Sequence, residues 1–306
     1  MTPISEPATA TVVANQAPAQ VLLHSVQTAH QQIQVFQQGS ARFMVFGKHA
    51  EPLTQTWIDT NDLWRPDEYV QGMVTAAAFH AAPTRVLCLG VGGGAIPRVL
   101  RKVFPSATVD AVDIDEEVLW TARTWFGLDA DDGIRLYAEE ARDFVRCASA
   151  KGLRWDVVIV DVFDHQYIPA HLMTVEFLRE LGNVVADDGL IVSNHFAVGR
   201  LRDLESRTCA EAFGSFLEFP SENTSRVVVA HHGAMPQIDV IHANLRSHAD
   251  SLNRAGVAPE RAVSRLRVAG GWPEDTVPLT DATGQCPDLA QLLKQASADA
   301  FATLSP

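Results

Sequence analysis

Residues 85–115 read RVLCLGVGGGAIPRVLRKVFPSATVDAVDID. RVLCLG is an unbroken apolar run closed by Gly90, TVDAVDID is a second run that ends in acids, and PRVLRKVF between them has helical spacing. Runs that are apolar on both faces suit strands sandwiched between two layers of helix, the arrangement of parallel strands joined by crossover helices. Toward the C-terminus the alternation continues through EEVLWTARTWF, IRLYAEEA, ARDFVRCASA, WDVVIVDVF, VEFLRELGNVV and GLIVSNHF, with RVVVAHH as a further strand. The pattern predicts a doubly wound, mostly parallel α/β sheet over 66–231.

Working toward the N-terminus, Pro66 to His80 has helical spacing, with Tyr69, Met73 and Ala76 or Ala77 on one side. Residues 21–65 alternate apolar and polar in short runs, such as Ile33 and Val35 or Phe43 and Val45, punctuated by Gly39 and Gly47. They predict a small antiparallel β domain. The Ala-, Thr-, Pro- and Gln-rich residues 1–20 read as a mobile tail, and 232–306 as a helical C-terminal extension.

Composition narrows the function. The chain has 306 residues, 47% of them hydrophobic and 20% charged, which suits a globular enzyme. No apolar run approaches the roughly 20 residues that span a bilayer, and residues 1–20 lack the basic start and apolar stretch of a secretory signal, so a cytoplasmic protein is expected. A net charge of −13 argues against non-specific nucleic-acid binding and fits a cationic small substrate better. Four cysteines without CxxC spacing and eleven histidines without HExxH or paired spacing give no metal site and no disulfide framework.

The turn from Gly90 to Gly94 (Gly90, Val91, Gly92, Gly93, Gly94) lies between a strand and a helix that begins near Pro97, where small residues let a ligand approach the backbone. About twenty residues on, Asp113, with Asp115 behind it, ends the next strand where a carboxylate can accept from ribose hydroxyls. These two elements fit NAD and S-adenosylmethionine alike. The third, YAEEARDF, adds Glu140, which is placed to accept from an adenine amino group. Taken singly, each also fits a bland turn, a solvated strand-end acid or an acidic helix start.

The segment 155–196, WDVVIVDVFDHQYIPAHLMTVEFLRELGNVVADDGLIVSNHF, resembles the spermidine synthase family, in its spermidine-synthase-like branch. The matching residues are Asp161, Phe163, Asp164, Ile168, Pro169, His171, Leu172, Thr174, Glu176, Phe177, Asp188 and Gly189. His30 to Val35 is similar to the family's YQxIxV strand, and Leu279-Thr280-Asp281 with Pro287 to its late LTD element. The resemblance implies a Rossmann-like, methyltransferase-type fold and a homodimer. It also implies transfer of an aminopropyl or related alkyl group from a sulfonium donor, decarboxylated S-adenosylmethionine or S-adenosylmethionine, to an amine. By position, Gln31 contacts the donor nucleotide, Gly90 to Gly94 line its methionine-derived part, Asp113 holds the ribose and Glu140 the adenine. Asp161 orients or deprotonates the attacking amine, and Asp164 helps to hold it.

Two departures matter. The family's GGGDGG turn has an Asp for the donor's amine, replaced here by Gly93, which tolerates the carboxylate of intact S-adenosylmethionine. In DEYVQGM, Val70, Gln71 and Gly72 replace the family's polyamine-binding side chains, leaving Tyr69, Gln71 and His165 for the acceptor pocket. A methyltransferase on a small molecule and a non-catalytic nucleotide-binding relative therefore stand as alternatives to aminopropyl transfer.

Overall fold

The computed structural model describes residues 19–47, 53–61, 66–128, 133–163, 168–197, 199–221, 225–231, 233 and 235–284. Strands β1 (Val21–Gln27), β2 (Gln32–Gln38), β3 (Ala41–Phe46) and β4 (Leu53–Asp59) form an antiparallel meander in chain order. The main unit then alternates α1 (Glu68–Ala77), β5 (Arg85–Leu89), α2 (Ala95–Val103), β6 (Thr108–Asp113), α3 (Glu116–Phe126), β7 (Ile134–Ala138), α4 (Ala141–Ala150) and β8 (Trp155–Val160). It continues through α5 (Val175–Gly182), β9 (Val185–Phe196), α6 (Gly199–Phe213), β10 (Leu217–Pro220) and β11 (Ser225–His231).

With β12 (Arg267–Val268), strands β5 to β11 form one sheet of order β12-β10-β11-β9-β8-β5-β6-β7, in which β9 to β7 run parallel and β11, β10 and β12 antiparallel. The apolar runs account for the parallel part. Val86, Leu87, Cys88 and Leu89 of β5 and Val157, Val158 and Ile159 of β8 are fully buried, their side chains alternating between the two helical layers. Chain order reverses at β5, between β6 and β8, and in open α/β sheets ligands bind at the strand ends beside such a switch point.

Residues 232–306, expected as a helical extension, include α7 (Ile238–Ser247), α8 (Ala249–Arg254), α9 (Glu260–Ser264) and α10 (Asp281–Gly284). They also add an edge strand, β12 (Arg267–Val268), to the main sheet. The LTD residues are tied into the core. Leu279 takes a hydrogen bond from Val175 N (2.8 Å) on its carbonyl and donates its own N–H to Thr208 Oγ1 (2.9 Å). Asp281 receives both Arg142 Nη1 and Nη2 at 2.8 Å, while Arg142 Nε and Nη2 also reach Glu180 at 2.8 Å.

The meander packs on α3. Ile33, Val35, Met44, Phe46 and Ile58 form a cluster with Val118 and Phe126, and each such fully buried side chain contributes about 1.5–3 kcal/mol relative to exposure. Polar contacts set the register of this docking. Arg42 Nη1 donates to Trp125 O (2.7 Å), and His24 Nε2 lies 3.3 Å from Glu117.

Candidate functional site

Three side chains at the edge where the parallel strands end are helix caps. Asp67 Oδ1 accepts from Val70 N at the start of α1, Asp115 Oδ1 from Glu117 N at α3, and Glu140 Oε2 from Asp143 N at α4. Each satisfies an amide that has no partner inside its helix.

Asp113, the last residue of β6, turns back to the glycine turn. Its Oδ2 accepts from Val91 N (3.0 Å), its Oδ1 from Asp115 N (3.1 Å), and Gly92 N also donates to it. Burial pushes the carboxyl up and these amides only partly offset it, leaving it at about 6. A carboxylate has about four acceptor positions, so capacity for ribose hydroxyls is left.

Asp115 is occupied differently. Besides capping α3, it accepts at 2.6 Å from the hydroxyl of Thr28, which in turn accepts from the amides of His30 and Gln31 (3.1 Å each). The β1–β2 turn carrying Gln31 is thereby anchored two residues beyond Asp113. Glu140 combines its cap with a contact of 3.0 Å to His171 Nε2. Burial opposes its charge, but His171 and the Asp143 amide outweigh that and hold the carboxyl below the usual range.

Asp161 follows β8, its N–H donating to Leu89 O (2.9 Å). Gly90, at φ +85°, is the residue that permits this approach, since a Cβ there would lie 2.1 Å from Asp161 O. The glycine turn is thus flanked on one side by Asp113 and on the other by Asp161. Asn194 Nδ2 of β9 donates to Asp161 Oδ1 (3.0 Å), and the Tyr69 hydroxyl donates to the same carboxylate. Burial raises the Asp161 carboxyl more than these donors lower it. Tyr69 is itself held well above its ordinary value by burial and by the charges of Asp161 and Asp67, so it stays a proton donor in that bond.

Asp67 belongs to the same cluster. It is open to solvent on one side and walled by protein on the other, and loss of hydration, with Asp161 nearby, outweighs its cap bond and brings its carboxyl to about 6.

Gly93 is enclosed. Its N–H donates to Thr56 Oγ1 of β4 (2.8 Å), and a Cβ would stand 2.3 Å from Thr56 Cγ2. A threonine from the N-terminal sheet therefore fills the space that a side chain at 93 would need.

Gln71 is not brought to Asp161. Its amide donates to Pro66 O and accepts from Ala258 N (3.2 Å each), and it lines a separate cavity. Asp164 and His165 lie outside the described residues. His195 is buried in β9. Its neighbour Asn194 faces Asp161, so the alternation of a strand turns His195 away, toward Ser193 (2.8 Å) and Glu205 (3.3 Å). Among the described residues no group of three or more His, Cys, Asp or Glu side chains is placed to hold a metal ion.

Sequence reasoning missed Thr56, Asp67 and Asn194. Only Asn194 carried a signal, as a polar residue inside the apolar run GLIVSNHF.

The chain matches the spermine/spermidine synthase domain over residues 68–199. It is 30% identical over 264 residues to the polyamine aminopropyltransferase of Vibrio vulnificus, covering 85% of this chain and 88% of that one. Among solved structures, a probable spermidine synthase from Corynebacterium glutamicum aligns with a TM-score of 0.60 at 17% identity, over 83% of this chain and 99% of that one. Human methyltransferase-like protein 13 in complex with SAH aligns with a TM-score of 0.53 at 20% identity, over 69% and 98%. At these identities the structural likeness speaks for the fold.

Proposed function

Because the chain belongs to the spermine/spermidine synthase family, we propose that it is a transferase that moves an aminopropyl group from decarboxylated S-adenosylmethionine to an amine. The observation that carries this reading is the shared glycine turn, with a ribose-type carboxylate, Asp113, on one side and a raised, hydrogen-bonded carboxylate, Asp161, on the other.

The chemistry asks little of the protein beyond placement. A sulfonium donor is already activated, so a neutral amine held in line with the propyl carbon suffices. The nitrogen lone pair forms the new C–N bond, the C–S bond breaks with its electron pair going to sulfur, and methylthioadenosine leaves as a neutral thioether. The proton shed by nitrogen passes to Asp161, whose raised carboxyl suits it to general base work near neutral pH. Asn194 and Tyr69 fix its orientation.

Gly93 favours a second reading, methyl transfer from intact S-adenosylmethionine, because no carboxylate at 93 repels that donor's own. The enzyme is further proposed to be a homodimer, supported by exposed Val21 and Leu22 on edge strand β1. A cytoplasmic location is supported by the free thiols Cys88, Cys147 and Cys209.

Incubation with each donor and butane-1,4-diamine, followed by mass spectrometry, tests the reading. Methylthioadenosine and an aminopropylated amine are expected, and Asp161→Asn should lower kcat/KM by about 10²–10⁴ with the fold intact. S-adenosylhomocysteine with a methylated amine would select the second reading, and no product with either donor would leave a non-catalytic relative.

A further inference from the structure

The hydroxyl of Thr28 does more than close the β1–β2 turn. It accepts from the amides of His30 and Gln31 at 3.1 Å each, and its one proton goes to Asp115 Oδ2 at 2.6 Å, nearer than Gln31 O at 3.1 Å. So short a bond from a hydroxyl to a carboxylate is of the charge-assisted kind. Its two ends are 87 positions apart in the chain, and it fastens the N-terminal meander to the main unit.

From Asp115 the tie runs on into the donor site. Asp115 N donates to Asp113 Oδ1 at 3.1 Å, and Val91 N to Asp113 Oδ2 at 3.0 Å. Gly93 N, in the same glycine turn, donates to Thr56 Oγ1 of β4 at 2.8 Å. β4 belongs to the sheet from which Thr28 projects, so the bonds close a ring from the meander through Asp115, Asp113 and the glycine turn back to the meander. Gln31 stands on this ring half-buried, and its side-chain amide makes no hydrogen bond to another described residue.

We propose that Thr28 is a positioning residue for the donor, holding Gln31 and the Asp113 carboxylate in one frame. It acts through Asp115. That residue is buried, and its Oδ1 is committed to Glu117 N at 3.1 Å, so loss of the hydroxyl strands Oδ2 inside the protein. A buried carboxylate oxygen deprived of its donor turns toward water, and the support of Asp113 moves with it. The inference rests on the reading of Asp113 and Gln31 as donor contacts.

Thr28→Val removes the hydroxyl at nearly constant shape. With decarboxylated S-adenosylmethionine and butane-1,4-diamine, the donor KM is expected to rise about tenfold, while kcat and the diamine KM stay within about twofold of the wild type. Thr28→Ser keeps the hydroxyl and should restore the donor KM. Asp115→Asn, in which the α3 cap is kept and the bond to Thr28 loses its charge, is an independent second variant expected to move the donor KM in the same direction. Thr60→Val is the control, because Thr60 Oγ1 donates to Ser40 O at 2.9 Å within the meander and outside the ring. It should lower the melting temperature and leave the donor KM alone. A donor KM unmoved in both Thr28→Val and Asp115→Asn, or raised equally by Thr60→Val, overturns the inference.

Calorimetry with methylthioadenosine separates this outcome from the reading of the reaction. If no amine is turned over but methylthioadenosine binds the wild type about tenfold more tightly than Thr28→Val, the reaction fails and the role of Thr28 stands. Turnover with an unmoved donor KM means the reverse, and absence of binding by the wild type removes both.

Discussion

Asp67 does two things with one side chain. As a cap it satisfies Val70 N, and as a charge it stands near Asp161, which adds to the loss of hydration that raises the Asp67 carboxyl. Asn caps a helix about as well as Asp, so Asp67→Asn separates the two roles. The fold should hold. In the wild type the Asp67 charge is present above about pH 6 and lost as pH falls through that value, so KM for a cationic amine should rise on the acid side. In the variant that break disappears. The acid limb of kcat/KM set by Asp161, whose carboxyl is raised by burial, should stay in place. A pH series of both parameters checks this, and an unmoved KM profile would reduce Asp67 to a cap.

At the level of elements, β4 and the β5–α2 turn meet through Thr56 and Gly93, 37 residues apart. Gly93→Ala should cost about 1–3 kcal/mol in urea unfolding, because the new Cβ overlaps Thr56. Combining it with Thr56→Gly should recover much of that, a coupling of more than about 0.5 kcal/mol. Restoring a carboxylate at 93 therefore needs Thr56 cut back first. Only the double variant Gly93→Asp/Thr56→Gly is expected to gain selectivity for the decarboxylated donor, measurable by calorimetry with both donors. No alternation or spacing marks Thr56, since its role exists only where two sheets meet. Asp113 and Asp161 were legible because acids that end apolar strands in a doubly wound sheet have one edge to occupy. Tyr69 and Gln71 were legible as a pair but not as opposites. A helix sets residues two apart about 200° from each other, and the packing partner decides which of them sees the site. Asp67 was hidden because a capping residue needs no other explanation.

Across the whole molecule, buried charge sits away from the transfer site, between β9, β10, β11 and α6. Glu205 approaches His195 at 3.3 Å and Arg226 at 3.6 Å, Arg226 pairs with Glu218, and Arg202 and Arg267 also reach Glu218. Burial works against charge on His195, but Glu205 and Cys209 outweigh it and raise the imidazole to about 9. A raised histidine contributes stability that is complete below its unfolded value of about 6.5 and is lost as pH rises through the folded one. The melting temperature should therefore fall between pH 7 and 9.5, and Glu205→Gln should be less stable at pH 7 and flatter over that range. The tie between Arg142 and Asp281 has a consequence in time. It spans 139 residues, whereas Glu180 follows Arg142 by 38. At about 5–20 residues per second of synthesis, Asp281 is made on the order of ten seconds after Arg142. A nascent chain must hold that guanidinium with Glu180 alone in the interval, so ribosomes halted before position 281 should carry an α4 that proteases can still open.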